Sequence, residues 1–242
     1  MKQAAMAQGP MKLPGGSFLS RTLYVFLALA LFSVAINLGG KWLGRTIALA
    51  GHTEDTTPRE IVIGNNVLSV PANAIRFEKA RHDGIAPRLD LYLRWPDMEG
   101  YSQAARDDFN NAGGSRRILF LSFEPRTMSR DMSGRFTPIY SQLIRRPGTP
   151  DKGGLELYDF KEKTGYVNEV LAVAARPNEE PYVARCLTGP SAEESLAPCE
   201  RDIHLGDDLS LTYRFPRELL ADWPSLEAAV SARAAQYLKT GR

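Results

Sequence analysis

One uncharged apolar run, Thr22 to Leu38, stands apart from the rest of the chain. About 17–25 apolar residues can cross the hydrocarbon core as a helix. The pattern therefore predicts a transmembrane helix over 18–40, preceded by a disordered cytoplasmic tail over 1–17 and followed by a juxtamembrane hinge over 41–58. The remaining stretch, 59–242, reads as one soluble domain.

Within that domain the dominant period is two. Leu89, Leu91, Leu93 and Trp95 alternate with Asp90, Tyr92 and Arg94, as expected of a strand with one face buried. Ile61–Ile63 and Val67–Val70 flank Gly64, Asn65 and Asn66, which predicts a hairpin. Ile118–Phe123 is almost wholly apolar and predicts a central strand covered on both faces. Five more strands are expected at Leu155–Phe160, Tyr166–Ala174, Pro181–Leu187, Glu200–Leu205 and Leu209–Phe215. Their short links favour an antiparallel meander.

The period changes after Asp222 and Pro224, which are helix-start signals. Leu226, Val230 and Tyr237 share one helical face, so an amphipathic C-terminal helix should pack on the sheet. Two further helices are predicted, Tyr101–Asn110 and Ser129–Ile144. The fold class is α+β: an N-terminal transmembrane helix followed by a predominantly antiparallel β-sheet domain with a C-terminal amphipathic helix.

Charge sharpens this division. The first fifty residues hold five of the 30 Lys and Arg and no Asp or Glu, leaving 25 basic against all 28 acidic residues in the remainder, a net of −3. A domain without a basic field lacks what nucleic-acid binding needs. Arg21 precedes the run, and Lys41, Trp42 and Arg45 follow it as membrane-interface residues. Lys2, Lys12 and Arg21 tip the positive-inside count towards a cytoplasmic N-terminus. The basic and aromatic residues between the run and Ala48–Ala50 favour a retained anchor over a cleaved signal.

The cysteines point the same way. Cys186 and Cys199 are the only two in the chain and bracket a loop rich in Gly, Pro, Ser and Glu. A disulfide is the simplest reading and belongs to an oxidising compartment. This places the domain in the periplasm, outside a bacterial inner membrane.

Chemistry is sparse. His52, His82 and His204 show no metal-ligand spacing, and no nucleophile elbow, phosphate loop or dinucleotide fingerprint is present. No metal or cofactor is expected, and no catalytic set is legible. One constellation invites a binding hypothesis. Glu124, Arg126, Arg130, Asp131 and Arg135 follow the Ile118–Phe123 strand, interleaved with Met128, Met132 and Phe136. Arginine forks suit carboxylate or phosphate, although a solvated segment of mutually paired charges explains the same pattern.

The apolar run, taken with Ile63–Asn66, Ala72–Phe77, Arg88–Pro96, Phe123–Arg126, Tyr166–Glu169 and Cys199–Ile203, resembles a bacterial family of transmembrane anchored proteins. That resemblance implies a bacterial single-pass protein and supplies no activity, cofactor or catalytic residue. Three function classes follow. The leading one is a non-catalytic interaction or assembly module with a protein partner in the envelope. The second is a domain binding or sensing an anionic envelope molecule through Glu124–Arg135. The third is an unrecognised hydrolase or transferase.

Overall fold

The computed structural model describes residues 20–21, 23–36 and 51–239. The chain divides into two compact units, Met1–Gly51 and His52–Arg242. In the first, residues 20–21 and 23–36 are helical, and Phe26 and Phe32 are both 66% exposed. Among the described residues no helix is long and apolar enough to cross a membrane. The expected tail over 1–17, residues 18, 19, 22 and 37–40 of the expected span, and residues 41–50 of the expected hinge, with Lys41, Trp42 and Arg45, lie outside the described residues.

The second unit is α+β with a large antiparallel sheet and a C-terminal helix. Strands β1 (Pro58–Ile63) and β2 (Asn66–Pro71) form the expected hairpin, with Gly64 in the left-handed conformation at its turn (φ 57°). A two-residue strand absent from the sequence reading, β3 (Gly84–Ile85), adds in parallel to β1 and completes a small sheet.

The large sheet contains β4 (Leu89–Arg94), β5 (Ile118–Pro125), β6 (Thr149–Asp151), β7 (Leu155–Asp159), β8 (Glu169–Ala174), β9 (Tyr182–Leu187), β10 (Cys199–Leu205) and β11 (Leu209–Phe215). Its order is β4-β5-β11-β10-β9-β8-β7-β6. The meander thus runs unbroken from β6 to β11, with β5 and then β4 added beyond β11. Cys186 and Cys199 stand opposite each other in the β9–β10 register and form a disulfide. Both are buried, so the bond staples adjacent strands at the core.

One face of this sheet carries the core. Leu91, Leu93, Leu121, Phe123, Leu211, Tyr213 and Phe215 meet Leu226, Val230, Ala234 and Tyr237 of the C-terminal helix, Trp223–Tyr237. Those helical positions recur at three- and four-residue steps, which puts them on one stripe. Asn66, 1% exposed, joins the two sheets. Its Nδ2 donates to the Asp207 carbonyl at 2.6 Å, and its Oδ1 accepts from the Asp207 amide at 2.9 Å. At the far end of the helix, Leu238 bridges to Leu68 and the Lys239 amide donates to the Val67 carbonyl at 2.8 Å.

Three local expectations need correction. Strand β5 is not covered on both faces, because Phe120, Ser122 and Glu124 are only half-buried and point away from the core. The Tyr101–Asn110 helix shrinks to a turn at Gln103–Ala105 and one at Arg106–Phe109, followed by Asn111 in the left-handed region (φ 53°). The Ser129–Ile144 helix reduces to a wide π-turn at Phe136–Tyr140 and a single turn at Ser141–Leu143. There the Tyr140 amide reaches back five residues to the Arg135 carbonyl, at 3.2 Å.

Candidate functional site

The second face of the large sheet is closed at both ends and open between them. At the β4 end, Tyr92 lies beneath His52, Tyr101 and Phe109. His52 stacks on Tyr101 with ring centroids 4.5 Å apart, and its Nδ1 is 3.0 Å from the Tyr92 hydroxyl. Burial pushes the imidazole below its ordinary pKa and the Tyr92 phenol above its own. His52, expected in a polar hinge, is thus packed into the domain. At the other end Met132, Tyr140 and Ile144 cover Tyr158, Phe160, Leu171, Val173 and Val183 as a second apolar cluster.

Between these covers runs a polar face built by strand alternation. The register sets Asp90 opposite Ser122 and Ser122 opposite Thr212. It also sets Tyr92 opposite Phe120, Phe120 opposite Arg214, Arg214 opposite Glu200, and Glu200 opposite Arg185. A groove of about 450 Å³ opens over β4, β5 and β11, flanked by Arg76, Arg88 and Leu196.

Charge in the groove is segregated. Arg88 donates from Nε to Asp90 at 2.9 Å and from Nη2 to the Ser122 hydroxyl at 2.8 Å, and it lies 3.8 Å from Glu124. Its carboxylate neighbours hold the guanidinium above its ordinary pKa. Glu200 pairs with Arg185, which also meets Glu169 at 3.3 Å. Burial raises the Glu169 pKa despite that arginine. Arg76 and Arg214 line the groove without a carboxylate within 4 Å among the described residues. The Arg76 guanidinium stacks over Phe120 and Phe77, at 4.8 and 5.1 Å from their centroids. Arginine over an aromatic face keeps its N–H edges available to a ligand.

The five residues singled out in the sequence scatter. Glu124 faces the groove, and it shares a separate cavity of about 160 Å³ with Arg135. Arg135 is nearly buried and paired with Asp202, whose carboxyl burial pushes above its usual range. Arg126 turns to Asp208 in a shallow hollow beyond the end of β5. Arg130 is exposed and donates to the Gly134 carbonyl at 3.5 Å. Asp131 caps the Gly134 amide at 2.9 Å and borders a third hollow. The segment therefore contributes Glu124 and Arg135 to neighbouring cavities and directs its other charges elsewhere.

The groove residues Arg76, Asp90, Phe120 and Thr212 escaped the sequence reading. Ser122 was the available signal. It is the polar interruption of an apolar strand, on the same parity as Glu124 and aligned with the Ser210–Thr212–Arg214 row. Joining those rows needed the placement of β5 between β4 and β11, which local periodicity does not contain. Among the described residues, no group of three or more His, Cys, Asp or Glu is arranged to hold a metal ion.

No protein-family model matches the chain, and no curated protein matches it. Two solved structures share part of its geometry. An immunity protein of the Stenotrophomonas maltophilia type IV secretion system is 17% identical, with 78% of this chain and 96% of that one covered at a TM-score of 0.49. The Neisseria meningitidis iron-regulated outer membrane lipoprotein FrpD is 11% identical, with 76% and 95% covered at a TM-score of 0.42. At these scores neither likeness carries a functional argument.

Proposed function

We propose that this chain is a non-catalytic interaction module of the bacterial envelope. A transmembrane helix over 18–40, built on the apolar run Thr22–Leu38, anchors it in the inner membrane with the N-terminus cytoplasmic, and the domain in the periplasm docks a protein partner. The observation that carries the docking role is the open middle of the large sheet. Both flanks of that face are sealed by aromatic and apolar clusters, while a groove with half-buried walls is left between them. A polar, partly apolar concavity on a rigid sheet suits recognition of another macromolecule. The acid-free N-terminal segment, its uncharged run and the Cys186–Cys199 disulfide support the envelope assignment.

Two measurements test this reading. A photo-crosslinking residue at Thr212, on the groove floor, should capture one specific protein in native membranes, whereas one at the remote exposed Glu162 should not. Equal capture from both positions, or capture from neither, removes the docking role. An alkaline phosphatase fusion after Arg242 should be active and a cytosolic reporter silent. The reverse outcome removes the periplasmic placement.

A further inference from the structure

We infer that the Phe120 end of the groove is a subsite for a carboxylate side chain on an extended acidic segment of the partner, held between Arg76 and Arg214. This rests on reading the open face as the docking surface and specifies what is docked there. Glu200 is the acid facing Arg214 across the β10–β11 ladder, but it is drawn to Arg185 on its other side. Asp90 and Glu124 are engaged by Arg88 towards the opposite end of the groove. Among the described residues, two guanidinium groups thus remain on either side of Phe120 without a carboxylate of their own.

Geometry fits a carboxylate in an extended chain. Directly opposed residues in an antiparallel pair have Cβ atoms about 5 Å apart, so Arg214 stands beside the ring over which Arg76 stacks. Both arginines can then approach one carboxylate, each through a charge-assisted N–H···O bond. Leu196, 42% exposed, adds apolar surface to the groove, and Phe77, 42% exposed, packs its ring against the Arg76 guanidinium. From Phe120 to Glu124 is about 13 Å at 3.3 Å per strand residue. A bound segment therefore meets arginines at one end and the Arg88–Glu124 pair at the other, which fixes its direction.

The probe is a dye-labelled ten-residue peptide of alternating Glu and Leu, titrated by anisotropy with the full chain in detergent. Saturable, salt-sensitive binding is expected. Arg76→Ala and Arg214→Ala should each weaken it about tenfold, the value of one charged hydrogen bond. Arg76→Lys and Arg214→Lys should restore part of the loss, and Arg145→Ala, far from the groove, should change nothing. Circular dichroism checks that each exposed substitution leaves the fold intact.

Absence of saturable binding, or equal binding by the Ala variants, overturns the subsite. Displacement of the peptide by inorganic phosphate at lower concentration than by glutarate overturns it in favour of a phosphate site. Crosslinking from Thr212 separates this result from the docking role. A captured protein that persists in the double Ala variant leaves the docking surface standing and removes the subsite. Arg-dependent peptide binding without any captured protein does the opposite.

Discussion

Arg201 and Glu227 form an ion pair inside the molecule, with Nη2 2.7 Å from Oε1 and Arg201 only 1% exposed. The same guanidinium donates to the Val183 carbonyl at 2.7 Å and lies 4.7 Å from the Tyr182 ring centroid, while Glu227 also takes Arg176. This cluster ties the C-terminal helix to β9 and β10. Removing one member of a buried pair leaves the other charge unsolvated and typically costs about 3–5 kcal/mol. Glu227→Ala should lower unfolding free energy by that order in a denaturant titration. A loss below about 1 kcal/mol, the range of surface pairs, would mean that the pair is solvated.

The disulfide closes a sequence separation of 13 residues. A loop of that size predicts about 3 kcal/mol from restricting the unfolded chain. Cys199→Ser should therefore move the denaturation midpoint down by that equivalent without altering far-ultraviolet dichroism. Because both sulfurs are buried, the folded wild-type domain should resist dithiothreitol until it is partly denatured. Rapid reduction under native conditions would contradict this burial.

Tyr213 and Tyr237 supply an alkaline limit. Burial pushes both phenols up to about 12 from an ordinary 10.0. The folded state keeps protons that the unfolded chain has released above pH 10, so stability is fully present below that pH and lost as pH rises towards 12. Phenolate absorbance should show exposed tyrosines titrating first and these two rising late, together with unfolding. Titration of all nine tyrosines in one step near pH 10, before any loss of structure, would contradict it.

Asn66 offers a sharper local test. Asn66→Asp keeps the acceptor towards the Asp207 amide but removes the donor to its carbonyl and introduces a buried carboxylate. Leaving that site unsatisfied should cost about 1–3 kcal/mol, with more for the added charge. Gly206→Ala should act on the same contact, since an added Cβ would lie 2.3 Å from Asn66 Oδ1, at a backbone φ of 49°. Thermal unfolding of the two variants should shift in the same direction. An unchanged midpoint for both would remove the role given to this junction.

Strands were legible where alternation was strong. Leu209–Phe215 and Leu89–Arg94 each combine a buried row with a polar one, and a single-residue slip would reverse every side chain. Thr149–Asp151 and Gly84–Ile85 are too short to carry a period, and both acquire strand geometry from their neighbours. The two overpredicted helices share a different cause. Met132, Tyr140 and Ile144 carry helical spacing, but their burial is supplied by the outer rows of β7–β9, so compact turns suffice. The groove depended on register across β4, β5 and β11 as well as on Arg76, which comes from outside the three strands. Its charge segregation is decided by which side of Glu200 captures the carboxylate, a choice made only in three dimensions.

The Leu68–Leu238 bridge makes the second unit almost a ring. Its first hairpin and the end of its last helix lie side by side, with Lys239 also paired to Glu60. The order in which its elements are read is therefore separable from the way they pack. A circular permutant that joined residue 239 to residue 58 through a short linker and opened at the Lys161–Gly165 link would retain every strand pairing and place both new ends at the β7–β8 turn, one strand in from the β6 edge of the large sheet.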